Sequence, residues 1–185
     1  MLEPHRKKRK AYNEPGHSRF LTYSCINRWP LLARDRTRHW VMEAIEESRR
    51  RYDFDLYAFV IMPEHVHLLI RPRRPQYRMD LILNALKRPV SWQAKQWLLQ
   101  EGNEEWLDRL TVTHGQRKVF RFWLPGGGFD RNIFRIRSIG EVMDYMHHNP
   151  VRRGLVQKPT EWSWSSARFW AGMEGTPLKM DAISR

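Results

Sequence analysis

Two short runs hold the side chains with the richest chemistry. In Met62-Pro63-Glu64-His65-Val66-His67-Leu68-Leu69 two histidines stand two residues apart. Residues 65–70 read as a β-strand. Successive strand side chains point to opposite faces, so His65 and His67 share one face. Both imidazoles can reach one cation from there, and the same spacing equally suits two half-buried histidines on a sheet face. Glu64, one position earlier, is expected to face the other side and reads as a turn residue. In the second run, Tyr145-Met146-His147-His148-Asn149-Pro150, Tyr145 and Asn149 are four apart on a predicted helix and therefore on one face. His148 flanks that face and His147 points elsewhere. Alone, this pattern also describes a helix end capped by polar residues beside a core tyrosine.

The elements that must position these groups can be read from periodicity. Residues 19–26 alternate and predict a strand. Residues 35–51 carry Trp40, Val41, Ala44 and Ile45 at helical spacing. Residues 55–62 form a buried-looking strand, joined by the Met62-Pro63-Glu64 turn to the histidine strand, its antiparallel partner. A helix is expected from 79 to about 100, with Pro89 kinking or splitting it near Arg88. A short helix around Trp106 and Leu107 follows, then a strand at 116–123 and a glycine loop at 125–128. The last helix spans 138–148, with Ser138 and Glu141 as a capping box, and ends at Asn149 because Pro150 disfavours a helical predecessor. This order predicts an α+β domain of ferredoxin-like, split βαβ type: an antiparallel sheet with helices on one face. Residues 1–17 read as a basic arm, 18–156 as the domain, and 157–185 as a tail carrying Trp162, Trp164 and Trp170, packed on or near it.

The chain has 185 residues and a mass of 22.5 kDa, enough for one domain with a real core. Thirty-three Lys and Arg against twenty Asp and Glu give a net charge of +13. The basic residues cluster at 6–10, 71–74, 131–137 and 152–153. A polyanionic partner, nucleic acid, accounts for this better than a membrane surface, because no basic amphipathic helix with a wide apolar face is present. The longest apolar run, 57–62, is far too short to span a bilayer. No apolar stretch follows the basic N-terminus, which excludes a secretory signal. Cys25 is the only cysteine, excluding an intrachain disulfide and a Cys-rich zinc module, and fits a reducing cytoplasm. Arg71, Arg73, Arg74, Arg152 and Arg153 adjoin the two chemical runs in sequence and are candidates to line a groove for nucleic acid. Trp162 and Trp164 read as packed residues more readily than as base-stacking ones. A second reading, a non-catalytic RNA-binding domain of the same topology, draws on Tyr57-Ala58-Phe59-Val60, which matches the centre of the RNP1 pattern but lacks its basic-Gly pair.

The two runs together resemble a known family. The segment from Met62 to Leu69 is similar to the HUH motif of single-tyrosine transposases. The segment from Tyr145 to Val156, with Tyr, x, His, x, Asn, Pro, Val, resembles the tyrosine segment of the REP-associated branch, and Trp162-Ser163-Trp164-Ser165-Ser166-Ala167 resembles that branch's tail. The resemblance implies a ferredoxin-like enzyme that cuts and rejoins single-stranded DNA at hairpins through a 5′-phosphotyrosine. It implies Tyr145 as nucleophile, and His65, His67 and Asn149 as ligands of Mg²⁺ or Mn²⁺. Insertion-sequence relatives usually carry Gln as the helix ligand; Asn is one methylene shorter, so the helix must sit closer or a water must bridge. Neither a membrane nor a small-molecule substrate enters this reading, and the chain is expected to act as a monomer or homodimer. A domesticated protein that binds hairpins without cutting them is the alternative.

Overall fold

A computed structural model describes residues 12–183; residues 6–10, the basic cluster of the arm, lie outside them. Four strands form one antiparallel sheet: β1 (Ser18–Ser24), β2 (Phe54–Ile61), β3 (His65–Pro72) and a strand at Phe129–Ile133. Between β3 and that last strand run α2 (Met79–Gln100), α3 (Glu104–Arg109) and a separate hairpin of β4 (Thr111–His114) and β5 (Arg117–Phe120), which makes the last strand β6. The sheet order is β2-β3-β1-β6, as a ferredoxin-like fold requires when β6 is its fourth strand. Apart from an isolated bridge of Trp123 to Cys25 at the end of β1, the strand expected at 116–123 therefore does not join the main sheet. It pairs with β4, and β6 takes the edge place beside β1.

The sheet has two differently built faces. Leu21, Tyr23, Leu56, Phe59, Ile61, Val66, Leu68 and Ile70 project into a core completed by α1 (Asp35–Tyr52) and α2. Phe20, Tyr57, Ala58, Val60 and Leu69 project the other way, under α4 (Ile136–His147), which contributes Ile139, Val142, Met143 and Met146. Tyr57 and Ala58 share a face although they are neighbours, because the β2–β3 register shifts between Leu56 and Ala58. This bulge re-phases the rest of β2.

Three local expectations are corrected. Pro89 does not split α2: Leu86, Val90 and Ala94 are buried at helical spacing across it, and that burial outweighs one missing backbone hydrogen bond. Ser138 does not cap α4. The chain leaves β6 at Ile133 and enters the helix at Ile136 after Arg135, so Ser138 lies inside the first turn, and no side chain caps that end. The helix closes at His147, with His148 as its cap, and a short turn α5 (Asn149–Arg152) restarts at Asn149 with Pro150 in its first turn, where the missing N–H is harmless.

The tail returns to the free edge of β2. Val60 bridges to Ser165, Ile61 N–H donates to the Trp164 carbonyl at 2.9 Å, and Ser166 N–H donates to the Phe59 carbonyl at 3.0 Å. The indoles of Trp162 and Trp170 donate to the carbonyls of Ile61 and Tyr57, and Arg38 lies over the rings of Trp162 and Trp164. A short helix, α6 (Ala167–Trp170), follows. On the β6 side, Gly128 (φ +70°) passes so close to β1 that a Cβ there would stand 2.1 Å from the Thr22 carbonyl oxygen. Only glycine allows that approach.

Candidate active site

The histidine strand sits at the centre of the sheet, and α4 crosses the face that His65 and His67 share. Register fixes the pair's surroundings. Thr22 on β1 lies directly opposite His67, and its Oγ1 is 2.7 Å from His67 Nδ1. His65 Nδ1 donates to Glu64 Oε1 at 3.2 Å, which leaves the lone pair of neutral His65 on Nε2. The two Nε2 atoms then face each other at 2.9 Å. Burial drives both rings toward the neutral form. His67 is pushed down to about 3, and His65 is lowered by burial despite the opposing charge of Glu64. Neutral imidazoles with converging nitrogens are competent ligands. At 2.9 Å His67 Nε2–H donates to His65 Nε2; moving that proton to Nδ1, where Thr22 Oγ1 can accept it, would free both Nε2 atoms for one cation. Thr22 suits either condition, since a hydroxyl can donate to Nδ1 or accept from it.

Tyr145 projects from α4 toward this pair. Its ring centroid is 6.1 Å from that of His67 and 6.1 Å from that of Phe20, which stacks on His67. Tyr145 is 44% exposed, whereas Tyr23 and Tyr57 are at most 1% exposed. Of these three phenols, only Tyr145 is open to a macromolecular substrate. The Arg152 guanidinium lies 4.9 Å above its ring centre. A cavity of about 480 Å³ opens here, lined by Thr22, His67 and Tyr145 together with Phe129, Arg131 and Ser138.

The remaining candidates fall in different places. Asn149 lies one turn beyond Tyr145; its Nδ2 donates to the carbonyls of Tyr145 at 2.8 Å and Met146 at 3.3 Å, so Oδ1 is its acceptor for any further contact. His148 is exposed, with Nδ1 donating to the Asp144 carbonyl. His147 is buried and meets Ser166 Oγ at 2.8 Å; burial pushes it down to about 4. Among the described residues no cluster of three His, Cys, Asp or Glu side chains could hold a metal. Arg71, Arg73 and Arg74 are not brought to the histidines. They lie at and just past the other end of β3, at least four residues and about 13 Å from His67, paired with Asp53, Asp55 and Asp181. Arg153 instead bonds Glu64, its Nη1 2.7 Å from Oε1. Glu64 is corrected accordingly. It is 6% exposed and its carboxylate turns to His65, because it lies in the connection before β3 pairs, where alternation does not hold. Thr22, Phe129 and Arg131 were not anticipated; the alternation that groups Thr22 with Phe20 was the signal for the first.

Tyr57 and Phe59, the aromatics of the RNP1-like stretch, are fully buried and cannot stack on bases. The comparisons with known proteins point elsewhere. A family model described as Transposase IS200 like matches residues 20–115, a stretch that contains both histidines and ends before Tyr145. A protein of Haemophilus influenzae described as a REP-associated tyrosine transposase is 24% identical over 143 residues, 74% of this chain and 76% of its own length. The REP-associated tyrosine transposase of Escherichia coli K12 is 22% identical over 166 residues, 85% of this chain and 80% of its own. A solved REP-associated tyrosine transposase bound to a REP hairpin shares the fold, with a TM-score of 0.70 at 18% identity over 97% of this chain and 95% of that one. Among the described residues no helix is long and apolar enough to cross a membrane.

Proposed function

The chain belongs to the IS200-like transposase family, and from that premise we propose that it cuts and rejoins single-stranded DNA beside a hairpin, with Tyr145 as the nucleophile and His65, His67 and Asn149 as ligands of Mg²⁺ or Mn²⁺. The observation that carries the reading is the facing of Tyr145 and His67 across one open cavity, the phenol exposed and the imidazole neutral. A hairpin substrate is supported by the solved relative of the same fold, which holds a REP hairpin. The net charge of +13 suits a phosphate backbone.

In this reading the Tyr145 oxygen forms a bond to the scissile phosphorus as the bond from phosphorus to the 3′-oxygen breaks. The phenolic proton leaves to solvent, the 3′-oxygen takes up a proton to become a hydroxyl, and the 5′ end remains as a phosphotyrosine. Rejoining is the reverse attack by a 3′-hydroxyl. One ester is exchanged for another, so no nucleotide cofactor is consumed. A divalent cation would supply positive charge to the phosphoryl oxygens and the leaving oxygen. Thr22 holds the His67 ring, Arg152 sets a cation beside the attacking phenol, and Arg131 at the cavity is suited to an incoming phosphate.

The test is a hairpin oligonucleotide with a single-stranded flank, incubated with protein and Mn²⁺ and resolved under denaturing conditions. A covalent protein–DNA adduct is expected from the wild type and none from Tyr145→Phe, with hairpin binding unchanged. Binding without any adduct in the wild type would make the chain a non-cleaving hairpin protein.

A further inference from the structure

The turn before β3 contains a carboxylate that belongs neither to the solvent nor to the core. Glu64 is 6% exposed and makes two side-chain contacts through one oxygen. Oε1 accepts from His65 Nδ1 at 3.2 Å and from Arg153 Nη1 at 2.7 Å. The first contact lies on the histidine strand; the second reaches 89 positions along the chain, to the residue closing α5, just past Tyr145 and Asn149. The backbone of Glu64 is fixed as well, since its carbonyl accepts from Cys25 N–H at 2.9 Å.

A buried carboxylate with a charged partner is costly to place without a use. Here it joins the two halves of the site. An acceptor at Nδ1 fixes the tautomer and ring direction of an imidazole whose Nε2 is to bind a cation. The bond to Arg153 ties the tyrosine-bearing segment to the same oxygen. Besides it, α4 is held by its apolar residues and by the His147–Ser166 hydrogen bond to the tail on β2, and apolar contacts resist sliding less than a directional ion pair. We infer that Glu64 is a positioning residue with two roles: it orients His65 for the cation and, through Arg153, sets the tyrosine segment in register with the histidine strand. The inference rests on the proposed cation site.

Mn²⁺ binding, followed by the electron paramagnetic resonance signal of the free ion, tests the first role apart from turnover. Wild type should bind and His65→Ala should lose binding. Glu64→Ala should weaken Mn²⁺ by about 10–100-fold, the usual effect of removing a partner of a metal-bound histidine. Glu64→Gln, which keeps an acceptor oxygen, should recover most of that loss. Should Glu64→Ala fail to fold, Glu64→Met preserves the volume without an acceptor and is compared with Glu64→Gln instead. The second role is read at saturating Mn²⁺. Arg153→Met should leave the Mn²⁺ affinity within about threefold yet slow adduct formation about tenfold, and adding Glu64→Gln should cost little more, as expected for partners in one interaction. Wild-type Mn²⁺ affinity in a folded variant lacking the acceptor, with His65→Ala still defective, overturns the orienting role alone. Adduct formation at the wild-type rate in Arg153→Met overturns the registering role alone. A wild type that binds no Mn²⁺ overturns the cation site itself, and this inference with it.

Discussion

Along β3 successive residues turn to two differently built faces. Val66, Leu68 and Ile70 enter a core shared with two helices of 18 and 22 residues, and all three are closed to solvent. His65, His67 and Leu69 turn to a face covered by a single helix of 12 residues, and beside it a cavity of about 480 Å³ stays open. One face is finished and the other is left incomplete. The difference shows how a small domain can present reactive groups without loosening: the dry face fixes the strand, and the fixed strand delivers two imidazoles to within 2.9 Å of each other.

The adjacent pair His67 and Leu68 offers the sharpest way to break this comparison. His67→Ala should abolish adduct formation while the folded state survives with a modest loss. Leu68→Ala should cost about 2–5 kcal/mol, which for a chain of this size lowers the melting temperature by roughly 5–20 °C, and should leave cleavage below that temperature within about threefold. Thermal melts and a gel assay on both variants decide it; a Leu68→Ala protein as stable as the wild type would end the division of labour between the faces.

A finer contrast lies within the open face. Asn149→Ala should reduce metal-dependent cleavage by at least the roughly 10–100-fold typical of a disturbed metal site. His148→Ala should change it by less than about threefold, because that imidazole is exposed and bonded to the Asp144 carbonyl. Cleavage rates across a Mn²⁺ titration distinguish them, and a more damaging His148→Ala would move the third ligand to His148. The smallest effect is expected at Ser138. Because it does not cap α4, Ser138→Ala should alter stability by less than about 0.5 kcal/mol, against roughly 0.5–2 for a true cap; a calorimetric loss near 1 kcal/mol would restore the capping box.

Legibility in the sequence followed apolar patterning. β1, β2, β3, α1 and α2 were readable because each buries a dense set of apolar residues at its own period. β6 was not: Phe-Asp-Arg-Asn-Ile buries only Ile133, and the strand is held by backbone pairing to β1 and by the Arg19–Asp130 ion pair, neither of which leaves a periodic trace. The more β-prone stretch at 116–123 drew the prediction instead. Within the site, residue type and spacing drew attention to His65, His67, Tyr145 and Asn149, but left a packed sheet face and a capped helix end equally open; their proposed roles came from the family resemblance. Glu64 was rightly read as a turn residue but given the wrong side, because strand alternation was extended into the turn; Arg71, Arg73 and Arg74 adjoin the histidine run in sequence, and a strand eight residues long carries them away from it. Proximity across 45 positions, as between Thr22 and His67, required the register.

The tail's return to β2 also bears on the order of events in folding. Ser166 meets Phe59 across 107 positions, and closing a loop of that length costs about 4 kcal/mol of chain entropy beyond the short-loop constant. The hairpin of β2 and β3 needs only a three-residue connection and pairs early by comparison. Between the two events β2, apolar from Leu56 to Ile61, presents an unpaired edge. Docking of the tail is unimolecular and independent of concentration, whereas pairing of that edge with another chain is bimolecular. Dilution therefore favours the native molecule for a kinetic reason, and the tail acts as the competitor that ends the exposure.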